Sequence, residues 1–209
     1  MHPAAPTNAL GQGSRRRFLY VLTGSVGAVG VTAALWPLVD HMNPDAAVRA
    51  AADVVTVDLG DLHPAAQRIV FWHRVPIFVA QRTAAMLDAM RDQMFAAQLI
   101  DADSKQRQQP SYARNWHRSI DPRYTVLVGI CTACACVPRF VAEAMPDALP
   151  GGYVCPCCAS HYDPAGRAYA GPARFNLPVP PHQLDAHLRL TLGKNPPGEL
   201  FTLDAAERI

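Results

Sequence analysis

All six cysteines of this chain fall in two short stretches, GICTACACVP from Gly129 to Pro138 and YVCPCCASHYD from Tyr153 to Asp163. No other feature narrows the fold as much, because thiols crowded in this way must either cross-link or share an inorganic centre. Three disulfides are the plain alternative in an oxidising compartment. They fit poorly, since Cys157 and Cys158 are neighbours, Cys134 and Cys136 nearly so, and clustering into two short loops is what shared coordination demands. Cys131-x2-Cys134 and Cys155-x2-Cys158, with twenty residues between them, instead have the spacing of a four-thiolate site. Such a set suits tetrahedral zinc, with sulfur about 2.3 Å from the ion, and suits a [2Fe-2S] cluster equally. Spacing alone marks the four cysteines as candidate metal ligands and leaves the metal open.

A second constraint lies upstream. From Phe18 to Val39 runs FLYVLTGSVGAVGVTAALWPLV, 22 residues without a charge. As a helix at 1.5 Å per residue it spans about 33 Å, the depth of a bilayer. Arg15, Arg16 and Arg17 precede it and Asp40 follows. The positive flank orients residues 1–17 to the cytoplasm and the rest outward, giving a single-pass protein of a bacterial inner membrane with a periplasmic head. Ser14 to Leu19, SRRRFL, is similar to a twin-arginine export signal, a route for folded, cofactor-loaded proteins. The apolar run exceeds the 7–15 residues of an ordinary signal core, which favours an anchor over a cleaved peptide. Residues 40–52, DHMNPDAAVRAAA, read as a tether, and residues 53–209 as the head.

Within the head, Val54–Leu59, Arg68–Trp72 and Val75–Gln81 are short, β-branched and bounded by turn residues, so they predict antiparallel strands. Thr83 opens TAAMLDAMRDQMFAAQ, whose Met86, Leu87, Met90, Met94 and Phe95 predict one amphipathic helix with methionines as core filler. Asp101–Pro110 reads as a surface loop. Tyr124–Ile130 and Gly152–Val154 predict strands leading into the two cysteine loops, and His187–Leu192 and Leu200–Leu203 closing strands. The Pro-rich GPARFNLPVPP reads as loop or edge. A net charge of +2, with 17% charged residues and no basic stripe, argues against a nucleic-acid partner.

The two cysteine loops, the stretch GGYVCPCCASHYDPAGRAYAGPARFNLPVP, the anchor followed by WPLVDHMNP and the twin-arginine start together resemble the Rieske iron-sulfur subunit of bacterial ubiquinol-cytochrome c reductase, from about Arg15 to about Leu192. The resemblance implies a mostly β fold: a transmembrane helix, then an antiparallel β-sandwich head with one helix and a cluster-binding subdomain at loops 129–138 and 153–163. It implies a [2Fe-2S] cluster, cytochrome b and cytochrome c1 as partners, and transfer of electrons from quinol to cytochrome c1 by a head that swings on its tether. Cys131 and Cys155 match the cysteine ligands, Cys136 and Cys157 the disulfide that joins the loops, and Ser160 and Tyr162 the hydroxyls that bond to the cluster. The GPARFNLPVP segment matches the loop that covers it.

The resemblance breaks at the ligands. Its two histidine positions hold Ala133 and Cys158, its leucine position Cys134, and its two glycine positions Ala135 and Ala159. Two neutral imidazoles and two thiolates leave an oxidised binuclear cluster neutral, whereas four thiolates leave it at minus two. The corresponding potentials run from about −150 to +300 mV against roughly −400 mV. The narrowest gap, on the order of 250 mV, is about four decades in a one-electron equilibrium, which sets quinol aside as an easy donor. No imidazole near neutral pKa remains at the ligand positions to take the quinol proton, and His161 reads as structural. Three outcomes stay open: a four-cysteine [2Fe-2S] centre from Cys131, Cys134, Cys155 and Cys158, a zinc site, or no metal. The alternative to an electron-transfer subunit is therefore a non-catalytic or low-potential paralogue that docks on the same complex.

Overall fold

The computed structural model describes residues 10–41, 53–145 and 150–206, which fall in two units, an N-terminal helix and a head. Helix α1 (Leu10–His41) extends beyond the apolar run on its N-terminal side, because the arginines before Phe18 are themselves good helix formers. Its side chains from Arg15 to Asp40 are all exposed, as a span meant for lipid requires. Thr23, Ser25 and Thr32 donate their hydroxyl protons to the carbonyls of Leu19, Leu22 and Ala28, so these three hydroxyls are satisfied within the helix. Most of the expected tether, residues 42–52, lies outside the described residues.

Among its described residues the head has ten strands: β1 (Val55–Asp58), β2 (Gln67–Trp72), β3 (Val75–Gln81), β4 (Tyr124–Val128), β5 (Arg139–Ala144), β6 (Pro150–Val154), β7 (His161–Tyr162), β8 (Ala168–Ala170), β9 (His182–Leu184) and β10 (Arg189–Leu192). They form three antiparallel sheets in the orders β1-β10-β9, β2-β3-β4 and β5-β6-β7-β8. The sheet β2-β3-β4 lies between two cores, and the period of two along its strands assigns the residues. Ile77, Val79, Val126 and Val128 meet Val57, Leu190 and Leu192 in one core. Phe78 and Leu127, on the opposite face, meet Tyr153, Tyr162 and Leu177 in the other. The second core contains Cys131 and Cys155, so the cysteine loops grow directly out of a packed layer.

The strands expected at the head's start, at Val75–Gln81 and before each cysteine loop form within a residue or two of their predicted ends. Other expectations are corrected. The single helix after Thr83 is two, α2 (Ala84–Arg91) and α3 (Gln93–Ala96). Asp92 breaks it by taking an extended ψ of 122°, and its carboxylate then accepts the N–H of Met94 to start the next turn. Met86 and Met90 are buried, but beyond the break Met94 is 80% exposed. Asp101–Pro110 is a loop, with Asp103, Lys105 and Arg107 exposed as expected, but half of it is internal. Asp101, Ser104, Gln108 and Gln109 are buried, the Asp101 carboxylate accepts two backbone N–H groups, and the Gln109 amide donates to the carbonyls of Ser104 and Gln106. Leu200–Leu203 forms no strand, because the pairing edge beside β10 is already held by β1 and β9.

A polar cluster holds the base of the second cysteine loop. Arg82, just past β3, is fully buried and donates to the carbonyls of Pro164, Pro122 and His117 and to the Thr125 hydroxyl. Arg118 donates to the carbonyls of Ala165 and Gly166 and to the Gln109 amide oxygen. Asp163 and Arg167 form a buried ion pair with further N–H groups directed at the carboxylate. Burial pulls Arg82 down to about 10 and Arg118 to about 9, and both remain cationic at neutral pH.

His182 at the start of β9 is buried, and its Nδ1–H donates to the Pro180 carbonyl. Burial lowers its pKa from 6.5 to about 4. Below pH 6.5 the unfolded chain therefore gains a proton that the folded head refuses, so stability is full above about 6.5 and falls until about pH 4. We expect a loss on the order of 2–3 kcal/mol across that window from this residue. Urea titrations should give a flatter pH profile for His182→Gln than for the parent, and an equally steep profile in the variant would refute the assignment.

Candidate metal centre

The two cysteine loops have the same backbone. In the first, Cys131 N–H donates to Cys136 O at 2.8 Å and Ala135 N–H to Cys131 O at 2.9 Å. In the second, Cys155 N–H donates to Ser160 O at 2.9 Å and Ala159 N–H to Cys155 O at 3.0 Å. Cys131 thus corresponds to Cys155, Cys134 to Cys158, and Cys136 to Ser160. Each turn closes through a residue in the left-handed region, Ala135 at φ 59° and Ala159 at φ 52°. The loops open from β4 and β6, and the approach of the first is so close that a Cβ on Gly129 would lie 2.4 Å from the Phe78 ring. A disulfide between Cys136 and Cys157 joins them, the pairing that the resemblance implies.

The remaining four thiols converge. Sγ of Cys134 lies 3.3 Å from Sγ of Cys155 and 3.3 Å from Sγ of Cys158, and Sγ of Cys131 lies 3.6 Å from Sγ of Cys158. All four sulfurs are within 4.8 Å of one another. Sulfurs about 2.3 Å from one tetrahedral ion lie about 3.8 Å apart, so the set is close to that spacing. Cys131 and Cys155 are buried, Cys158 is half-buried and Cys134 is exposed, which places the centre just beneath the surface. Around it the loop tips present Ala133, Ala135, Pro156 and Ala159, small apolar side chains exposed to solvent.

Hydroxyls line the sulfurs. Tyr162 Oη is 3.3 Å from Cys131 Sγ and 3.2 Å from Thr132 Oγ1, and it accepts the N–H of Thr132. Thr132 Oγ1 donates to the Phe175 carbonyl and ties the first loop to the Pro-rich segment. Ser160 Oγ is 3.1 Å from Cys158 Sγ and accepts the N–H of Ala173 from the same segment. Gly171 starts that segment at φ 84°, where a Cβ would strike the Ser160 backbone. The covering segment is therefore bonded to both loops. Thr132 was not singled out from the sequence, although a hydroxyl between two candidate ligand positions is the signal that marks it.

The thiols differ in acidity. Burial pushes Cys155 up to about 12. Burial also pushes Cys158 upward, but hydrogen bonds from the Ser160 hydroxyl and from the thiol of Cys134 outweigh it and bring Cys158 to about 6. Burial raises Tyr162, so its phenol stays protonated and remains a donor. His161 neighbours Tyr162 on a strand, so its ring faces the other way, and it packs edge-on against Tyr169 at 5.8 Å.

An alanine in the left-handed region costs about 1 kcal/mol that glycine avoids. Ala135→Gly and Ala159→Gly should therefore each stabilise the head by about 0.5–1 kcal/mol, read as a higher urea midpoint at unchanged slope. Destabilisation by either would show that the loops do not use this conformation.

Comparison with known proteins agrees with this architecture. The N-terminal residues 6–45 match the family model described as the ubiquitinol-cytochrome c reductase Fe-S subunit TAT signal. The ubiquinol-cytochrome c reductase iron-sulfur subunit of Bradyrhizobium diazoefficiens is 38% identical over 86% of this chain and 94% of its own length. The protein of that name from Allochromatium vinosum is 42% identical over 80% of this chain and 83% of its own. Among solved structures, a chain titled "Hyperthermophilic respiratory Complex III" overlaps 82% of this chain and 98% of itself at 21% identity, with a TM-score of 0.46. Relatedness of this extent, over anchor and head together, means that the chain belongs to the family of ubiquinol-cytochrome c reductase iron-sulfur subunits.

Proposed function

We propose that this chain is the Rieske-type subunit of a bacterial quinol-cytochrome c reductase. α1 anchors it in the inner membrane with Arg15–Arg17 on the cytoplasmic side. The head stands in the periplasm, where residues 40–52 tether it within reach of a cytochrome b and a cytochrome c1 subunit. Its role in that complex is electron transfer from quinol toward cytochrome c1. The observation that carries the reading is a family relationship that spans nearly the whole chain, at 38% identity over 86% of it. The exposed apolar loop tips, made rigid by the Cys136–Cys157 disulfide, form the face suited to meeting those partners.

The family implies a [2Fe-2S] cluster, and the residues present do not fit it well. Ala133 stands where the resemblance places one histidine ligand and Cys158 where it places the other. The four thiols also lie too close across the loops. A binuclear cluster gives each iron two protein sulfurs and separates the two pairs along the iron–iron axis, yet Cys134 is 3.3 Å from both Cys155 and Cys158. The hydroxyls of Ser160 and Tyr162 remain in place, 3.1 Å from the Cys158 sulfur and 3.3 Å from the Cys131 sulfur.

This misfit favours a second reading, a docking subunit that assembles with the same partners without oxidising quinol. Two results separate the readings. Full-length tagged chain, solubilised from its own membranes, should bring down haem-bearing b- and c1-type cytochromes, and recovery of the chain alone would defeat both. Deletion of the gene should abolish quinol-dependent cytochrome c reduction in membranes under the first reading and leave it intact under the second.

A further inference from the structure

We infer that Cys131, Cys134, Cys155 and Cys158 hold one tetrahedrally coordinated thiophilic ion, zinc or mononuclear iron, in place of a binuclear iron-sulfur cluster. The argument concerns how four sulfurs divide. Two irons would split the four thiolates into two pairs, with every distance between pairs long. Four sulfurs divide into pairs in three ways, and each division fails. Cys131 with Cys155 against Cys134 with Cys158 leaves between-pair contacts of 3.6 and 3.3 Å. Cys131 with Cys134 against Cys155 with Cys158 leaves the same two contacts and a third of 3.3 Å. Cys131 with Cys158 against Cys134 with Cys155 leaves the 3.3 Å contact between Cys134 and Cys158. No assignment opens a gap for a second iron and two bridging sulfides. One ion needs no gap, and equal sulfur distances of about 3.8 Å are what it imposes.

The backbone supports the same conclusion independently. Each loop presents a Cys-x2-Cys pair on one repeated turn, with matched N–H to carbonyl bonds and a left-handed alanine after the second cysteine. The sequence Cys131-x2-Cys134…Cys155-x2-Cys158 is then two copies of one ligand unit facing each other, the arrangement of closed four-thiolate sites. Histidine at position 158 would remove one of these sulfurs, and no cysteine at 134 would remove another. Cys134 and Cys158, the two departures from the resemblance that add thiols, thus complete one four-sulfur set. Ser160 supplies a donor to the outer sulfur of Cys158, offsetting part of the charge that four thiolates bring to a divalent ion, and Tyr162 Oη lies 3.3 Å from the inner sulfur of Cys131.

The inference rests on the proposed function only for where the chain is found; zinc, which has no redox chemistry, accords with the docking reading and not with electron transfer. It is tested on full-length protein purified in detergent from its own membranes, by metal analysis together with acid-labile sulfide. One iron or one zinc per chain with sulfide below a tenth of an equivalent is expected. Zinc would leave the protein colourless, and iron would give a high-spin ferric EPR signal and no signal of a reduced binuclear cluster after dithionite. Cys134→Ala alters an exposed loop tip, and should lower the metal retained after chelator dialysis at least tenfold while the thermal unfolding of the sheets stays cooperative. Two irons with two sulfides per chain would overturn the inference, as would protein that carries no metal and takes up neither Fe(II) nor Zn(II) under reducing conditions. Either result leaves recovery of the cytochromes as a separate readout, so the ion and the complex can fail independently.

Discussion

Phe78 is the contact on which the head depends. It sits on the doubly covered strand β3, stacks on Tyr153 of β6 at 5.5 Å and 5°, and presses against Gly129 at the mouth of the first cysteine loop. The stack fixes the distance between the layer that carries the first loop and the sheet that carries the second. Gly129 is obligatory because any side chain there would enter the ring. Remove this registration and the two loops would still form, each closed by its own N–H to carbonyl bonds and joined by the Cys136–Cys157 disulfide, but the layers beneath them would lose their fixed spacing. The buried cations Arg82 and Arg118 serve the same end from the other side, by holding the carbonyls of the turn that follows Tyr162.

Much of this arrangement was legible in the sequence because it depends on local pattern. Runs such as VPIFVAQ carry β-branched and apolar residues on both faces, and Val75–Gln81 forms the expected strand. The pairing of Cys136 with Cys157, and the roles of Ser160 and Tyr162 beside sulfur, were implied by resemblance. What escaped has physical reasons. β7 and β8 are two and three residues long, below the length at which periodicity signals a strand. Asp101–Pro110 has the composition of a solvent loop, but the Asp101 carboxylate and the Gln109 amide bond to its own backbone and the Asp101 carbonyl to the Asn176 amide, so those residues pack inside. The break at Asp92 came from a capping carboxylate in the middle of an unbroken apolar stripe. Ligand spacing was readable from Cys-x2-Cys, whereas the cross-loop sulfur distances were not, because they depend on how two distant turns meet.

Loops that elsewhere in the resemblance use glycine use alanine here, yet they keep the left-handed turn. The sheets on either side determine the chain path more strongly than the preference of either residue, and the cost is absorbed locally. The covering segment follows the same logic. Its prolines cannot join a sheet ladder, and it is held instead by Ser160 and Thr132, so it reports the position of both loops at once. A shift in either loop would disturb it.

Cys134 has a further consequence through its neighbours. Its sulfur lies within 4.8 Å of those of Cys136 and Cys157 as well as facing Cys155 and Cys158. A free thiolate so near a disulfide attacks it, and six cysteines admit fifteen complete pairings, of which nearly all would scramble the loops. Coordination would occupy the would-be attacker and act as its protecting group. Maturation then has an order: the sulfurs that stay reduced must be claimed before oxidant reaches the other two, and a head that meets air too early locks itself shut around nothing.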